Sequence, residues 1–215
     1  MVVYRFARAV IRWVLLPAQM RLRVVGAERC PQTGALIIVS NHLGLVDPLV
    51  IACHVRRPIR ILAKVEIFRW PVLGWLARWC RIVPVRRGES DRVAMRTLAA
   101  VLAEGQCIML MPEGTYPKVP LPPEMLPVKT GAAFLALHTR ACVLPVGVTG
   151  TQQVWSARRG WRFWRRPRVT VTFGTAYQPE VPVGLPAKQT YQFVADDMAR
   201  RIAALLPDAY RGHYA

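Results

Sequence analysis

Short apolar runs alternate with segments of helical period along most of the chain. Between the runs, apolar residues recur at helical spacing from about 48, at 66–79, at 90–105, at 129–138 and from Tyr191 to Leu205. The runs themselves are short and mostly rich in β-branched residues, as buried strands are: 35–40, 59–63, 81–85, 107–112, 142–148 and 168–174. Alternating strands and helices predict an α/β fold, a single domain with a largely parallel mixed sheet flanked by helices.

The first 20 residues follow a different pattern. Arg5, Arg8 and Arg12 are three and four residues apart, which places them on one face of a helix, while apolar residues and Trp13 fill the rest. This composition is typical of an amphipathic helix in the bilayer interface, and a helix packed on its own domain is the alternative. We therefore predict a membrane-interface segment at 1–25 and a folded domain at 26–215.

Composition narrows the class of protein. Thirty Lys and Arg against twelve Asp and Glu give a formal charge of +18, which attracts anionic partners of several kinds. The hydrophobic fraction is 53%, yet no run reaches the roughly 18 apolar residues of a spanning helix, so we expect no integral span. The five cysteines are scattered without a CxxC pair, so neither a disulfide framework nor a zinc site is indicated.

Polar clusters follow three of the predicted strands. NHLGLVD (41–47) comes after the first strand, Arg86 and Arg87 after the third, and PEGT (112–115) closes the fourth. Ligands of α/β domains usually bind at the carboxyl ends of the strands, so we expect these clusters to form one site.

The first cluster holds a candidate catalytic pair. His42 is suited to general base catalysis near neutral pH, and Asp47 can orient its ring and stabilise the imidazolium. A substrate hydroxyl would then be the nucleophile. In the alternative interpretation His42 caps the following helix and Asp47 is a turn residue before proline.

The other two clusters suggest binding. Arg86 offers forked, permanently charged donors that suit a phosphate, although an arginine pair is also common on solvated surfaces. Glu113, Gly114 and Thr115 offer a carboxylate, backbone amides and a hydroxyl to a polar ligand, and an ordinary turn is the alternative.

Taken in order, four motifs resemble the glycerolipid acyltransferase family, which includes the 1-acylglycerol-3-phosphate acyltransferases. They are NHLGLVD (41–47), GWLARWCRIVPVRR (74–87), MPEGT (111–115) and VLPVG (143–147), with AKVEIF (63–68) and KTGAAFLAL (129–137) as further similar stretches. The resemblance covers most of the chain.

The resemblance implies a reaction and a set of roles. His42 would deprotonate the hydroxyl of a lysophospholipid and Asp47 would support it, while the acyl donor would be a thioester of coenzyme A or acyl carrier protein. The acceptor would be 1-acyl-sn-glycerol 3-phosphate, giving phosphatidic acid, or else another lysolipid or an amino-acid lipid. No cofactor is implied. The remaining motif positions would bind substrate: Asn41, Arg86, Glu113, Gly114, Thr115 and Pro145.

Two departures from the family pattern concern the acceptor. Tyr116 stands where a basic residue is frequent, with Lys118 as a possible substitute charge. Leu43 and Gly44 replace a larger polar pair, which predicts a more open or more apolar pocket beside His42.

A basic aromatic stretch, WSARRGWRFWRRPR (155–168), permits three interpretations. It suits an anionic headgroup layer, a solvated hairpin, or single-stranded nucleic acid. The interpretation as a nucleic-acid-binding protein leaves the four ordered motifs without an explanation. With the N-terminal helix, we therefore expect a peripheral protein on the cytoplasmic face of the cell membrane.

Overall fold

The computed structural model describes residues 9–69, 71, 74, 82–85, 92–115, 124–154, 166–182 and 184–215. Within these residues, seven strands form one sheet in the order β1-β7-β6-β2-β5-β3-β4. All neighbouring pairs are parallel except β6 and β7, which are antiparallel. The strands are β1 Arg21–Val25, β2 Leu36–Ser40, β3 Ile59–Lys64, β4 Val83–Val85, β5 Cys107–Leu110, β6 Cys142–Thr149 and β7 Arg168–Phe173.

Helices cover both faces of the sheet. Short 3-10 turns lie at Ala27–Arg29, Val65–Arg69, Thr151–Gln153 and Gly212–Tyr214, and a π-helical turn at Ile11–Leu15 leads into the first helix. The helices are α1 Leu16–Gln19, α2 Asp47–Ala52, α3 Arg92–Ala103, α4 Gly131–Thr139, α5 Ala187–Ala203 and α6 Asp208–Arg211.

The core consists of two apolar layers on opposite faces of the sheet. Side chains of β2 alternate between them: Ile37 and Val39 pack with the α3, α4 and α5 side, Leu36 and Ile38 with the α1 and α2 side. Every residue of β2 is buried, as expected for a central strand covered on both faces.

The predicted α/β fold with a largely parallel sheet is confirmed, and the six predicted strands are present with shifts of a few residues at their ends. The sequence did not predict β1, whose residues 21–25 were assigned to the N-terminal segment but pair with β7 as an edge strand of the sheet. The predicted helix at 66–79 begins as a 3-10 turn, and most of it lies outside the described residues.

The described part of the N-terminal helix has two different faces. Leu16 is buried against the core, whereas Trp13 is 69% exposed and Val14 59%. The end of the basic aromatic stretch lies beside this helix, because Arg166 Nη1 donates to the Pro17 carbonyl at 3.0 Å. The described end of this stretch, residues 166–168, therefore lies next to the N-terminal helix. Within the described ranges, no helix is long and apolar enough to cross a bilayer.

Candidate active site

The turn 41–47 leaves the sheet at the carboxyl end of β2. At its start the side-chain amide of Asn41 donates to the Val148 carbonyl at 2.9 Å and accepts the Val148 N–H at 2.8 Å. Asn41 is fully buried, and these two bonds continue the ladder between β2 and β6 by one residue. The contact fixes the point at which the turn begins. Within the described structure Asn41 thus contacts the sheet, and its assignment to substrate binding stays a prediction.

His42 and Asp47 are in direct contact within this turn. His42 Nδ1 lies 2.8 Å from Asp47 Oδ2, and Asp47 is fully buried at the start of α2. The same oxygen accepts the N–H groups of Leu43 at 2.6 Å and Gly44 at 2.9 Å. Since a carboxylate can only accept, the Nδ1 nitrogen carries the proton and the lone pair of the neutral ring is on Nε2.

Glu113 joins this turn to a distant segment. Its Oε1 accepts the backbone N–H of His42 at 2.9 Å and its Oε2 accepts that of Leu126 at 2.9 Å. The side chain is buried, and burial raises the pKa of its carboxyl from the ordinary 4.5 to about 7, while these two N–H groups lower it and the charge of Asp47 raises it further. Both carboxylate oxygens therefore accept backbone N–H groups. Binding of the acyl-acceptor substrate by Glu113 stays a prediction.

A cation lies beside the glycine of the third motif. Gly114 has a φ of +70°, and a Cβ added there would lie 3.1 Å from Lys129 Nζ. Thr115 is exposed next to it. Lys129 stands at the start of the KTGAAFLAL segment, but sequence reasoning did not assign it to the site. An ammonium group and a hydroxyl therefore lie beside the motif whose Glu113 contacts the backbone of His42.

Two other predicted substrate-binding residues lie elsewhere. Pro145 is buried inside β6, opposite Val39 of β2, and its carbonyl accepts the Gly174 N–H at 2.9 Å. It therefore contributes to the sheet, several residues before the carboxyl end of its strand. Arg86 follows β4 as expected but lies outside the described residues, as does Arg87. Their roles stay predictions.

The sequence around this site matches a known protein family. Residues 21–149, more than half of the chain, match the model of the family described as Acyltransferase. The chain belongs to this acyltransferase family. The family prediction is thereby confirmed, and the matched region contains His42, Asp47, Glu113 and Pro145.

Relatives of this acyltransferase act on different lysolipids. A 1-acyl-sn-glycerol-3-phosphate acyltransferase of Borreliella burgdorferi is 30% identical over 146 residues, 67% of this chain and 57% of that protein, so the match spans little more than half of the relative's length. A lyso-ornithine lipid O-acyltransferase of Brucella abortus is 29% identical over 220 residues, 89% of this chain and 78% of that protein.

A solved structure shares the fold. The crystal structure of the 1-acyl-sn-glycerophosphate (LPA) acyltransferase PlsC from Thermotoga maritima is similar with a TM-score of 0.66 at 24% identity, covering 94% of this chain and 77% of that one. The α/β architecture of this acyltransferase is therefore one already seen in an enzyme structure.

Proposed function

We propose that this chain transfers a fatty acyl group from a thioester of coenzyme A or acyl carrier protein to the free hydroxyl of a lysophospholipid. The observation that carries the proposal is the contact of His42 Nδ1 with Asp47 Oδ2 at 2.8 Å inside a buried turn. A histidine oriented by a carboxylate is the arrangement that activates a hydroxyl in acyl transfer, here the hydroxyl of the substrate.

The reaction follows from this geometry. As the acceptor oxygen attacks the thioester carbonyl, its proton passes to His42 Nε2, and the carboxylate of Asp47 stabilises the resulting imidazolium. The tetrahedral intermediate then collapses with cleavage of the carbon–sulfur bond. The leaving thiolate takes the proton back from His42, so the enzyme returns to its starting state.

The acceptor we propose first is 1-acyl-sn-glycerol 3-phosphate, which would give phosphatidic acid. The name of the Borreliella relative supports this choice. Lys129, whose ammonium lies beside Gly114, and Arg86 could both pair with the phosphate. A lyso-ornithine lipid is the second candidate, since the Brucella relative of that name matches 89% of the chain.

We also propose that the protein works at an anionic membrane surface on the cytoplasmic side. The exposed side chains of Trp13 and Val14 lie on the outer face of the N-terminal helix, with the Arg12 guanidinium 5.0 Å from the Trp13 ring. Arginine and tryptophan together favour the headgroup layer. A lysolipid partitions into the bilayer, so a surface enzyme would meet its acceptor by lateral diffusion.

The test is a product assay with labelled acyl-CoA or acyl carrier protein and a panel of lysolipids, comparing wild type with His42→Ala. Loss of the base should lower kcat by about 10²–10⁴-fold. His138→Ala is the matched control, since His138 is an exposed histidine on α4. If His42→Ala kept more than about a tenth of wild-type activity, the assignment of the base would be wrong.

A further inference from the structure

Residues 208–214, comprising α6 and the 3-10 turn after it, contact two segments that support the turn 41–47, which we call the catalytic turn. We refer to them as the 208–214 hook. Arg211 holds the hook to the end of α5, because its Nε donates to the carbonyls of Ala203 and Leu206, each at 3.1 Å. The hook lies outside the region 21–149 that matches the family.

The first support is the segment 124–128, which lies between the hook and Glu113. Its Met125 N–H donates to the Tyr210 carbonyl at 3.0 Å, and its Val128 N–H donates to the Tyr214 hydroxyl at 3.0 Å. The Leu126 N–H donates to Glu113 Oε2, whose other oxygen accepts the His42 N–H. A series of hydrogen bonds therefore connects the hook to the backbone of His42.

The second support is the 3-10 turn Thr151–Gln153. Gln152 Nε2 donates to the Tyr210 hydroxyl at 3.2 Å. The backbone of this turn lies beside the catalytic turn, since a Cβ added at Gly44 would be 3.7 Å from the Thr151 carbonyl oxygen and 3.8 Å from Gln152 Cα. Tyr210 therefore contacts both supports, one through its carbonyl and one through its hydroxyl.

The fit between the hook and the segment 124–128 is close. A Cβ added at Gly212 would lie 2.6 Å from the Met125 carbonyl oxygen and 2.8 Å from Glu124 Cβ. Gly212 also has a φ of +53°, which disfavours a larger residue. An alanine at this position would push the hook away from the segment.

We propose that the hook is a positioning element for acyl transfer, with Tyr214 and Tyr210 as positioning residues. They hold the segment 124–128 so that Glu113 keeps the backbone of His42 in place. The proposal rests on the proposed role of His42 as the base.

The experiment compares Tyr214→Phe and Gly212→Ala with Tyr191→Phe in the full chain. Tyr191 lies at the start of α5 in an aromatic cluster with Phe134 and His138, whereas the hook is attached at the end of that helix, so its variant is the matched control. Five quantities are measured for each variant: the melting temperature and, below it, kcat, the KM of the donor, the KM of the acceptor and the hydrogen exchange rate of the His42 amide by NMR.

Removing the Tyr214 hydroxyl leaves one buried N–H without its partner, so we expect faster exchange of the His42 amide and a fall of kcat by about three- to tenfold, with little change in either KM. Gly212→Ala should likewise speed exchange of the His42 amide and lower kcat. Tyr191→Phe should change neither quantity. A purely structural hook would lower the melting temperature alone.

Unchanged exchange at His42 and unchanged kcat in both hook variants would overturn the proposal, as would faster exchange without any loss of kcat. His42→Ala is assayed in parallel. If it remains active, the proposed base is wrong, and the proposal that the hook positions it for acyl transfer is overturned with it. If it is inactive while both hook variants match wild type, only the hook proposal is overturned.

Discussion

The substitution Asp47→Asn removes the negative charge of the carboxylate but keeps the shape of the side chain. Asp47 Oδ2 accepts three N–H groups, from His42 Nδ1, Leu43 and Gly44, whereas Oδ1 is buried without a hydrogen-bond partner in the described structure. An asparagine can place its carbonyl oxygen where Oδ2 lies and its amide group where Oδ1 lies. The turn and the ring tautomer should therefore survive the substitution.

What is lost is the attraction between the carboxylate and the imidazolium. Two unit charges about 4 Å apart attract by ~4 kcal/mol at an effective dielectric of about 20. A neutral hydrogen bond from the ring to the asparagine oxygen returns on the order of 1 kcal/mol. The net loss of about 3 kcal/mol falls on the step in which His42 is charged, which corresponds to a fall of about 10²-fold in kcat.

The assay is steady-state transfer from labelled acyl-CoA at saturating acceptor, together with thermal unfolding. Asp47→Asn should stay folded and keep both KM values, although its amide group, buried without an acceptor, costs about 1–3 kcal/mol of stability. Asp47→Ala is the comparison variant and should be less stable by several kcal/mol, because three buried N–H groups lose their acceptor at about 1–3 kcal/mol each. If the kcat of Asp47→Asn were within about threefold of wild type, or if only KM changed, the carboxylate would have a different role.

Three further predictions concern the acceptor, pH and the membrane. Arg86→Ala should raise KM for a phosphate-bearing acceptor by about tenfold or more while sparing the donor, and equal loss toward both would indicate a structural arginine. The pKa of Glu113, about 7 against an ordinary 4.5, means that the folded state keeps a proton that the unfolded state releases. Its contribution to stability therefore falls as pH rises from 4.5 to 7, by on the order of 3 kcal/mol. In urea titrations at pH 5 and 7.5, the free energy of unfolding of Glu113→Gln relative to wild type should be higher at pH 7.5. An equal difference at the two pH values would contradict this. Deletion of residues 1–20 should reduce sedimentation with anionic liposomes, and wild type should be partly released by high salt; full sedimentation of the deletion variant at high salt would exclude this anchor.

The sequence was sufficient for the parts of the fold that depend on local pattern. Buried apolar runs identify the central strands, and the polar turn between β2 and α2 identifies the pair His42 and Asp47, which the structure brings into contact. The edge strand β1 was missed because Arg21 and Arg23 alternate with its apolar residues and its partner β7 is more than 140 residues away. Edge strands commonly carry such charges.

Contacts made by backbone groups could not be predicted. Glu113 binds the N–H groups of His42 and Leu126, and every residue other than proline carries such a group, so no residue type marks the partner. The same reason hides the bond of Tyr214 to Val128, which are 86 residues apart. The motif resemblance pointed to Glu113, but its contacts with the backbone of His42 and Leu126 became visible only in the structure.

The turn 41–47, which carries the proposed base, is attached to the three strands at the centre of the sheet. It begins at the end of β2, is held through Asn41 to β6, and through Glu113 to the residues after β5. Regions with many buried hydrogen bonds open only in large cooperative fluctuations, whereas edges and terminal helices open with little free energy. The geometry around His42 is therefore insulated from local melting at β1 or the N-terminal helix. Release of the membrane segment alone should therefore leave the proposed base in place, whereas opening of the 208–214 hook or of the central strands should disturb it.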